Sequence, residues 1–230
     1  MTLKNSKGFT LVEMLVVIAI ISVLAAAHFP AIPNALDSAS ATALKQKGRG
    51  IWVAITSANM EREPLNLDTV WPEDAESEGV SDAVGYFNYL LSDGTTKTQP
   101  TSDHDLRVVA DLTPDALIAS GITAGTDASA LTAKNIAWGV VKVGDKDPSE
   151  VAFLISKNCQ NPGTLQQVPS ETTEILELDK DTKPFGQKRV AWVSRGGGTF
   201  DARRKYFTMS KLMGLGESTD TYDFWSTAAE

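Results

Sequence analysis

The sequence predicts an α+β fold in which a long N-terminal helix packs on a small antiparallel sheet. Three patterns indicate this fold. The run from Phe9 to Phe29 is almost continuously apolar, as in a helix that lies in an apolar environment. Apolar residues then recur every three or four positions from Ile32 to Ala58, which is typical of a helix with one buried face. Short runs rich in β-branched residues follow in the C-terminal half, as expected for the strands of a sheet.

Composition and charge exclude several classes of function. The chain of 230 residues is 42% hydrophobic and 22% charged, which is typical of a folded protein. It has 29 acidic and 21 basic side chains, and net acidity without a Lys/Arg block is unfavourable for nucleic-acid binding. A single cysteine, Cys159, excludes an intramolecular disulfide. The sequence has no hydrolase elbow, zinc-protease motif or phosphate loop, so we do not expect an enzyme.

The apolar run Phe9–Phe29 has the length of a membrane-spanning helix. About 21 residues at ~1.5 Å each span ~31 Å, which matches the hydrocarbon thickness of a bilayer. Lys4 and Lys7 precede the run and favour a cytoplasmic N-terminus with the rest of the chain across the membrane. An ordinary secretory signal is the alternative. Glu13 lies within the run, however, and a carboxylate in a membrane helix indicates a functional site.

The residues Lys7-Gly8-Phe9-Thr10-Leu11-Val12-Glu13, followed by an apolar helix, closely resemble the prepilin signal of type IV pilins and type II secretion pseudopilins. The close resemblance covers residues 1–30. It implies that a prepilin peptidase cuts between Gly8 and Phe9 and that Phe9 is then N-methylated. It also implies assembly with identical or homologous subunits into a filament, on an inner-membrane platform and with a cytoplasmic ATPase.

The resemblance gives two residues a role in assembly. Glu13 becomes the fifth residue after the cut, where the family has its glutamate. Its carboxylate is expected to pair with the Phe9 amine of a neighbouring subunit, because a buried pair specifies register. Pro30 becomes residue 22, where many members have a proline that bends the helix. Ser22 departs from the glycine that many relatives have at its position, so the extent of helix unwinding there stays open.

The expected organisation has four parts. They are a leader over residues 1–8, a transmembrane and filament-core helix over 9–29, an amphipathic continuation over 30–63, and a periplasmic or extracellular head over 64–230. The helix should end near Glu61–Glu63, because Pro64 disfavours a helical residue before it. Its buried face is expected to contain the apolar residues Ile32, Leu36, Ala39, Ala43, Ile51, Ile55 and Ala58.

The head is expected to contain two short helices and four strands. Residues 71–82 are acidic and indicate a loop. Ser81-Asp82 should cap a helix that ends at Leu91, and Thr113-Pro114 should begin another that ends near Gly121. The expected strands are 136–143, 151–156, 190–194 and 206–209, with a turn at 195–198 between the last two.

A metal site is a weaker expectation, near the C-terminus. Glu217, Asp220 and Asp223 have the oxygen ligands that calcium prefers, at a spacing typical of loops. Major pseudopilins carry a similar acidic loop with a nearby tryptophan, although its spacing differs from this segment. A polar loop held by Phe224 and Trp225 is the alternative. Apart from calcium, we expect no cofactor.

The leading hypothesis is therefore a structural subunit, a pseudopilin of a type II secretion pseudopilus or of a type IV pilus-like filament. The absence of a C-terminal disulfide loop favours a pseudopilin. An adhesive or DNA-binding minor pilin is one alternative, because basic residues cluster loosely around a predicted hairpin: Lys188, Arg189, Arg195, Arg203, Arg204 and Lys205. A membrane-anchored enzyme that does not assemble is the other.

Overall fold

A computed structural model describes residues 9–28, 32–97, 99–119, 131–159, 162–166, 175–182, 185–214 and 220–226. The chain divides into two compact units, Met1–Ala39 and Ser40–Glu230. Helix α1 (Leu11–His28) lies in the first unit, and helix α2 (Ile32–Arg62) begins in the first unit and continues into the second. No helix among the described residues is both long enough and apolar enough to cross a membrane.

The predicted end of α2 is confirmed, whereas its predicted buried face is partly wrong. The helix ends at Arg62 and is followed by a 3₁₀ turn over Glu63–Leu65 that contains Pro64. Ile51, Ile55 and Ala58 are buried as expected, but Leu36, Ala39 and Ala43 are exposed, and the side chain of Ile32 lies outside the described part. The buried residues that continue the face are instead Ala41, Leu44, Gly48 and Ala54. On two faces of the helix, apolar residues recur every three or four positions, so this spacing alone does not identify the buried face. The sheet packs against only one of the two faces.

A five-stranded antiparallel sheet lies under α2. Its strand order is β5-β4-β2-β1-β7, and a separate pair is formed by β3 and β6. The strands are β1 (Trp138–Val141), β2 (Ala152–Ser156), β3 (Leu165–Gln166), β4 (Arg189–Ser194), β5 (Thr199–Arg203), β6 (Thr221–Tyr222) and β7 (Phe224–Trp225). The sheet therefore confirms the α+β class, and three of the four predicted strands correspond to β1, β2 and β4.

The fourth predicted strand is wrong in position. Residues 206–209 were expected to pair with β4, but Thr199–Arg203 forms β5 directly after the turn, and Tyr206 lies in a 3₁₀ turn. The predicted turn itself is confirmed, with Gly197 at φ 80°. Because the turn is short, β4 pairs with the residues that come directly after the turn, and Val193 lies opposite Thr199.

Four short helices complete the described part of the second unit. They are α3 (Pro72–Ser77), α4 (Ala83–Leu91), α5 (Pro114–Leu117) and α6 (Met209–Met213). Helix α4 confirms its prediction, since the Asp82 carboxylate accepts a hydrogen bond from the Gly85 amide at 2.7 Å. Helix α3 replaces the expected acidic loop; Pro72 at its first turn and the acids after it are signals for a helix start. Helix α5 is shorter than expected because Ile118 pairs with Ile136 in a β-bridge.

Gly48 lets α2 lie very close to the sheet. A Cβ at this position would lie 2.6 Å from Val193 Cγ2 and 2.8 Å from the Trp138 ring, inside the distances that carbon atoms tolerate. The sequence predicts Gly48 and Gly50 to weaken the helix, yet the helix continues through both. At Gly48 the packing gained against β1 and β4 compensates for the low helix propensity of glycine.

Side chains of α2 also hold the β4–β5 hairpin. The Trp52 indole donates a hydrogen bond to the Arg195 carbonyl at 2.6 Å, and Arg49 donates to the Gly197 carbonyl. Lys45 pairs with Asp201 on β5 at 2.5 Å, and Arg189 on β4 pairs with the same carboxylate. Burial raises the pKa of Asp201, but the hydrogen bonds and charges of the two cations outweigh burial and hold this pKa below its ordinary value.

The close contact at Gly48 predicts opposite effects for two similar substitutions. Gly48→Ala should destabilise the Ser40–Glu230 unit by about 1–3 kcal/mol, because the new methyl group overpacks the contact with Trp138 and Val193. Gly50→Ala is the control: among the described residues a Cβ at Gly50 meets nothing within 4 Å. It should stabilise the unit by up to about 1 kcal/mol.

Urea unfolding of the detergent-solubilised chain, followed by tryptophan fluorescence, measures both effects. All five tryptophans lie in the Ser40–Glu230 unit, so the signal reports on that unit alone. Equal free energies of unfolding for Gly48→Ala and Gly50→Ala would show that the close approach is unimportant.

The ion pairs of Asp201 predict a pH-dependent contribution to stability. Asp201→Asn should cost about 1 kcal/mol at pH 7, a value that allows for solvent screening of partly exposed groups. Because the folded pKa is depressed, the contribution is complete above the unfolded pKa of about 3.9 and is lost as the pH falls through the folded pKa. The stability difference between the two proteins should therefore shrink in strong acid. Asp115→Asn is the control, since the Asp115 side chain is 75% exposed and lies 3.2 Å from Lys47; a cost equal to that of Asp201→Asn would contradict the prediction.

Candidate assembly site on the N-terminal helix

Helix α1 exposes apolar side chains around its whole circumference. The exposed fractions run from 44% at Val17 to 83% at Leu11. The exposed set comprises Leu11, Val12, Met14, Leu15, Val16, Val17, Ile18, Ile20, Ile21, Val23 and Leu24. A folded protein rarely exposes so large an apolar surface, and a helix that is apolar on every side is suited to burial against other molecules.

Thr10 and Glu13 form a reciprocal cap at the start of α1. The backbone N–H and the hydroxyl of Thr10 both donate to Glu13 Oε2, each at 2.8 Å. The Glu13 amide in turn donates to Thr10 Oγ1 at 3.3 Å. This arrangement is a capping box, in which the side chains at the first and fourth positions satisfy each other's free backbone donors. It holds the Glu13 carboxylate in one orientation at the end of the helix.

The role of Thr10 was not predicted from the sequence, although a signal was present. Thr10-Leu11-Val12-Glu13 has the spacing of a capping box directly before an apolar run. Both donors of Thr10 bond to Oε2, and among the described residues none donates to Oε1. The carboxylate therefore keeps one oxygen for a further cation.

Helix α1 is continuous at Ser22. The Ser22 hydroxyl donates to the Ile18 carbonyl at 2.7 Å, one turn back along the helix. Phe9, the expected methylation site, lies just before α1 and is 72% exposed. Gly8 and Pro30 lie outside the described residues, so the cleavage site and the helix bend stay predictions.

Two of the three expected calcium ligands, Asp220 and Asp223, lie in the described part of the structure. Asp220 and Asp223 flank β6 and are exposed, and the Asp223 carbonyl accepts a hydrogen bond from the Lys142 amide at 2.8 Å. Glu217 lies outside the described residues. Among those that are described, no group of three acidic, histidine or cysteine side chains is arranged to hold a metal ion. Calcium binding stays a prediction.

Cys159 is unsuited to nucleophilic chemistry. Its side chain is 2% exposed, and burial raises the pKa of the thiol to about 12. The thiolate that would act as a nucleophile is thus strongly disfavoured at neutral pH.

Comparison with known proteins identifies the N-terminal segment. Neither the curated proteins nor the solved structures give a match to the chain. Residues 3–27 match the family model of the prokaryotic N-terminal methylation motif. The matched segment includes Gly8, Phe9 and Glu13 and most of α1. The chain therefore carries the prepilin-type signal of type IV pilins and pseudopilins, which is processed by a prepilin peptidase before assembly with other subunits.

Proposed function

We propose that the protein is a structural subunit, a pseudopilin of a type II secretion pseudopilus or of a type IV pilus-like filament. The observation that carries the proposal is the methylation motif at residues 3–27, which coincides with a helix whose apolar side chains are exposed on all sides. Such a helix is stable only where other molecules remove it from water. Neighbouring α1 helices in a filament core provide that environment, and so does a bilayer before assembly.

In this proposal the newly synthesised chain is first a single-pass protein of a bacterial inner membrane. The sequence from Phe9 to Phe29 provides the span, with the N-terminus in the cytoplasm and the head in the periplasm. A prepilin peptidase removes residues 1–8, and Phe9 is N-methylated. An inner-membrane platform and a cytoplasmic ATPase then drive the subunit from the membrane into a pseudopilus or surface filament.

Glu13 is the residue that selects the register between subunits. The capping box orients its carboxylate and leaves Oε1 for a cation, which supports pairing with the methylated Phe9 amine of a neighbour. Each charge alone would be costly in an apolar core, and the pair removes both costs together. A wrong register leaves an unpaired charge and is disfavoured for that reason.

The other functions considered have less support. A membrane-anchored enzyme would need a reactive group, and the buried Cys159 is not one. An adhesive or DNA-binding minor pilin would use the same N-terminal signal with a ligand site on the head. The described residues contain a basic surface around Tyr206, but its surroundings favour a protein partner.

Processing predicts a defined N-terminus. Gly8→Val should leave residues 1–8 attached, because the prepilin peptidase needs the small residue before the cut. Mass spectrometry of the intact chain should find a methylated chain that begins at Phe9 in the unsubstituted protein and an uncut chain in the variant. Ser6→Val, two residues upstream, is the control and should be cut normally. A mature start after Ala27 would instead indicate an ordinary secretory signal and would refute the proposed processing.

The charge and the capping role of Glu13 are separable by substitution. Glu13→Gln retains a side chain that can cap the helix but removes the negative charge. It should insert and be cleaved, yet fail to enter filaments, because an unpaired buried amine costs about 3–5 kcal/mol. Thr10→Val removes the hydroxyl that bonds to Glu13 and keeps the negative charge of Glu13. This variant should therefore assemble much better than Glu13→Gln.

The measurement is a sheared-filament assay beside a blot of the membrane fraction, with cleavage checked for every variant. Glu13→Leu should also insert but not assemble. Normal assembly by both Glu13 variants would remove the intersubunit role. A defect in Thr10→Val beside normal assembly of Glu13→Gln would assign Glu13 to capping alone.

A further inference from the structure

Four basic side chains surround an exposed tyrosine at one end of the β4–β5 hairpin. Arg203 ends β5, Arg204 and Lys205 follow it in the 3₁₀ turn, and Lys211 lies on α6. The ammonium groups of Lys205 and Lys211 lie 4.6 and 5.9 Å from the centre of the Tyr206 ring. These five residues, together with the exposed Ile175, which is 47% accessible and pairs with Thr208 beside them, form what we call the Tyr206 surface.

The positive charges of the Tyr206 surface are available for a partner; Arg204 donates a hydrogen bond to Oε1 of Gln187, which is uncharged. Within the described part of the chain, Arg203, Arg204, Lys205 and Lys211 form no ion pair with a carboxylate. The nearby Asp201 is held by Lys45 and Arg189. The hydrogen bond from Lys205 and its charge lower the pKa of Tyr206, and Arg203 and Lys211 contribute to the same shift.

The composition of this surface is that of a protein interface. Tyr206 is 53% exposed and has basic side chains around it. Aromatic residues and arginine are enriched where proteins bind each other, with an apolar centre and a polar rim. Charged side chains alone are enough to make a protein surface soluble, so solubility does not explain the exposed tyrosine at the centre of this one.

A cleft with the opposite charge lies at the other end of the hairpin. It has a volume of about 540 Å³, and Met60 and Leu67 form an apolar part of its lining. These two side chains are 69% and 50% exposed. Glu63, Asp68 and Asp145 contribute carboxylates to the same lining. We call this site the acidic cleft.

The cations near the acidic cleft leave most of its charge unneutralised. Arg195 pairs with Asp145 at 3.1 Å, and Arg62 donates to the Asp68 backbone carbonyl at 2.7 Å. Among the described residues, the carboxylates of Glu63 and Asp68 have no ion pair.

Strand β4 separates the two sites. Arg189 begins the strand and lies opposite Arg203, whereas Arg195, directly after its last residue, lines the acidic cleft. Six residues at ~3.3 Å each place the two ends ~20 Å apart. One molecule therefore cannot fill its own cleft with its own Tyr206 surface.

We propose that the Tyr206 surface docks into the acidic cleft of a second copy of this chain. The tyrosine enters the apolar part of the cleft, and the basic rim of one copy faces the carboxylates of the next. Two different surfaces on one molecule make a head-to-tail contact, which extends into a helical array when successive copies do not close into a ring. This inference rests on the proposed function, since a filament is such an array, and it adds the surfaces by which the heads recognise each other.

A second copy is favoured over a nucleic acid as the partner. The chain has a net charge of −8, which repels a polyanion as a whole. A second copy presents its own acidic cleft and needs only the rim of that cleft to approach the basic surface. Charge complementarity of this kind sets partner choice and register, while packing of α1 helices in the filament supplies proximity.

Cross-linking in cells that express the full chain with its assembly machinery tests the contact. Ile175→Cys and Leu67→Cys place one thiol on each surface and leave all the charges intact. The native Cys159 is buried, so a short bis-maleimide should not react with it. A chain with both substitutions should form a ladder of dimers, trimers and longer species. Each single substitution should give no dimer, and a mixture of the two single variants should give dimers only.

Charge reversal tests the rim in the chain with both thiols. Arg204→Glu with Lys205→Glu should reduce the ladder about tenfold, because attraction becomes repulsion. Adding Glu63→Lys and Asp68→Lys should restore it to at least half. Lys134→Glu is the control, an exposed lysine remote from β4–β5 in sequence, and should leave the ladder unchanged.

Three results would overturn the proposal. The first is a chain with both thiols that assembles into filaments but gives no cross-linked ladder. The second is a cross-linked dimer of a chain with a single introduced cysteine, which would mean a symmetric contact. The third is a missing ladder together with salt-sensitive DNA binding that Arg204→Glu and Lys205→Glu abolish, which would assign the Tyr206 surface to nucleic acid. Cleavage after Gly8 and recovery of the unsubstituted chain in filaments report on the proposed function separately.

Discussion

The structure of the Ser40–Glu230 unit depends on the close contact between α2 and the sheet at Gly48. The Val193 and Trp138 side chains lie only 2.6 and 2.8 Å from where a Cβ of residue 48 would be, so the contact requires glycine. The same approach brings Lys45 to Asp201 and Trp52 to the β4–β5 turn. Because a packed interior transmits small displacements, the position of α2 determines where the edge hairpin lies. The Tyr206 surface and the acidic cleft are at the two ends of that hairpin.

The two units differ in how far their apolar side chains are exposed. In the second unit most of them are buried in one core between the helices and the sheet, whereas in α1 they are exposed on every side. Water must be excluded from α1 by other molecules, and in such surroundings an unsatisfied backbone donor is costly. The capping box of Thr10 and Glu13 satisfies the donor at the N-cap without a solvent molecule. One oxygen of this carboxylate thus completes the cap, and the other accepts no hydrogen bond from the described residues.

Much of the candidate site could be predicted from sequence because its signals are local. The motif around Gly8, Phe9 and Glu13 is recognisable from consecutive residues, and the family model matches the same segment. The bond between Thr10 and Glu13 was missed because it depends on the helix starting at Leu11. The Tyr206 surface was missed for a different reason. Three of its four cations, Arg203, Arg204 and Lys205, were noticed as part of a loose cluster. Residues 206–209 were predicted as a strand, however, which would have placed Tyr206 within the sheet.

The sequence by itself determined the features that depend on neighbouring residues. These are the apolar helix with its processing signal, the end of α2 before Pro64, the Asp82 cap and the approximate strands β1, β2 and β4. Only the tertiary structure decided which face of α2 is buried, since Leu44 and Ala43 are adjacent in sequence and only Leu44 meets the core. It also brought residues 60–68 beside Arg195 to form the acidic cleft. Such pairings join segments far apart in the chain, and they are selected by the packing of the whole unit, for which a local pattern contains no signal.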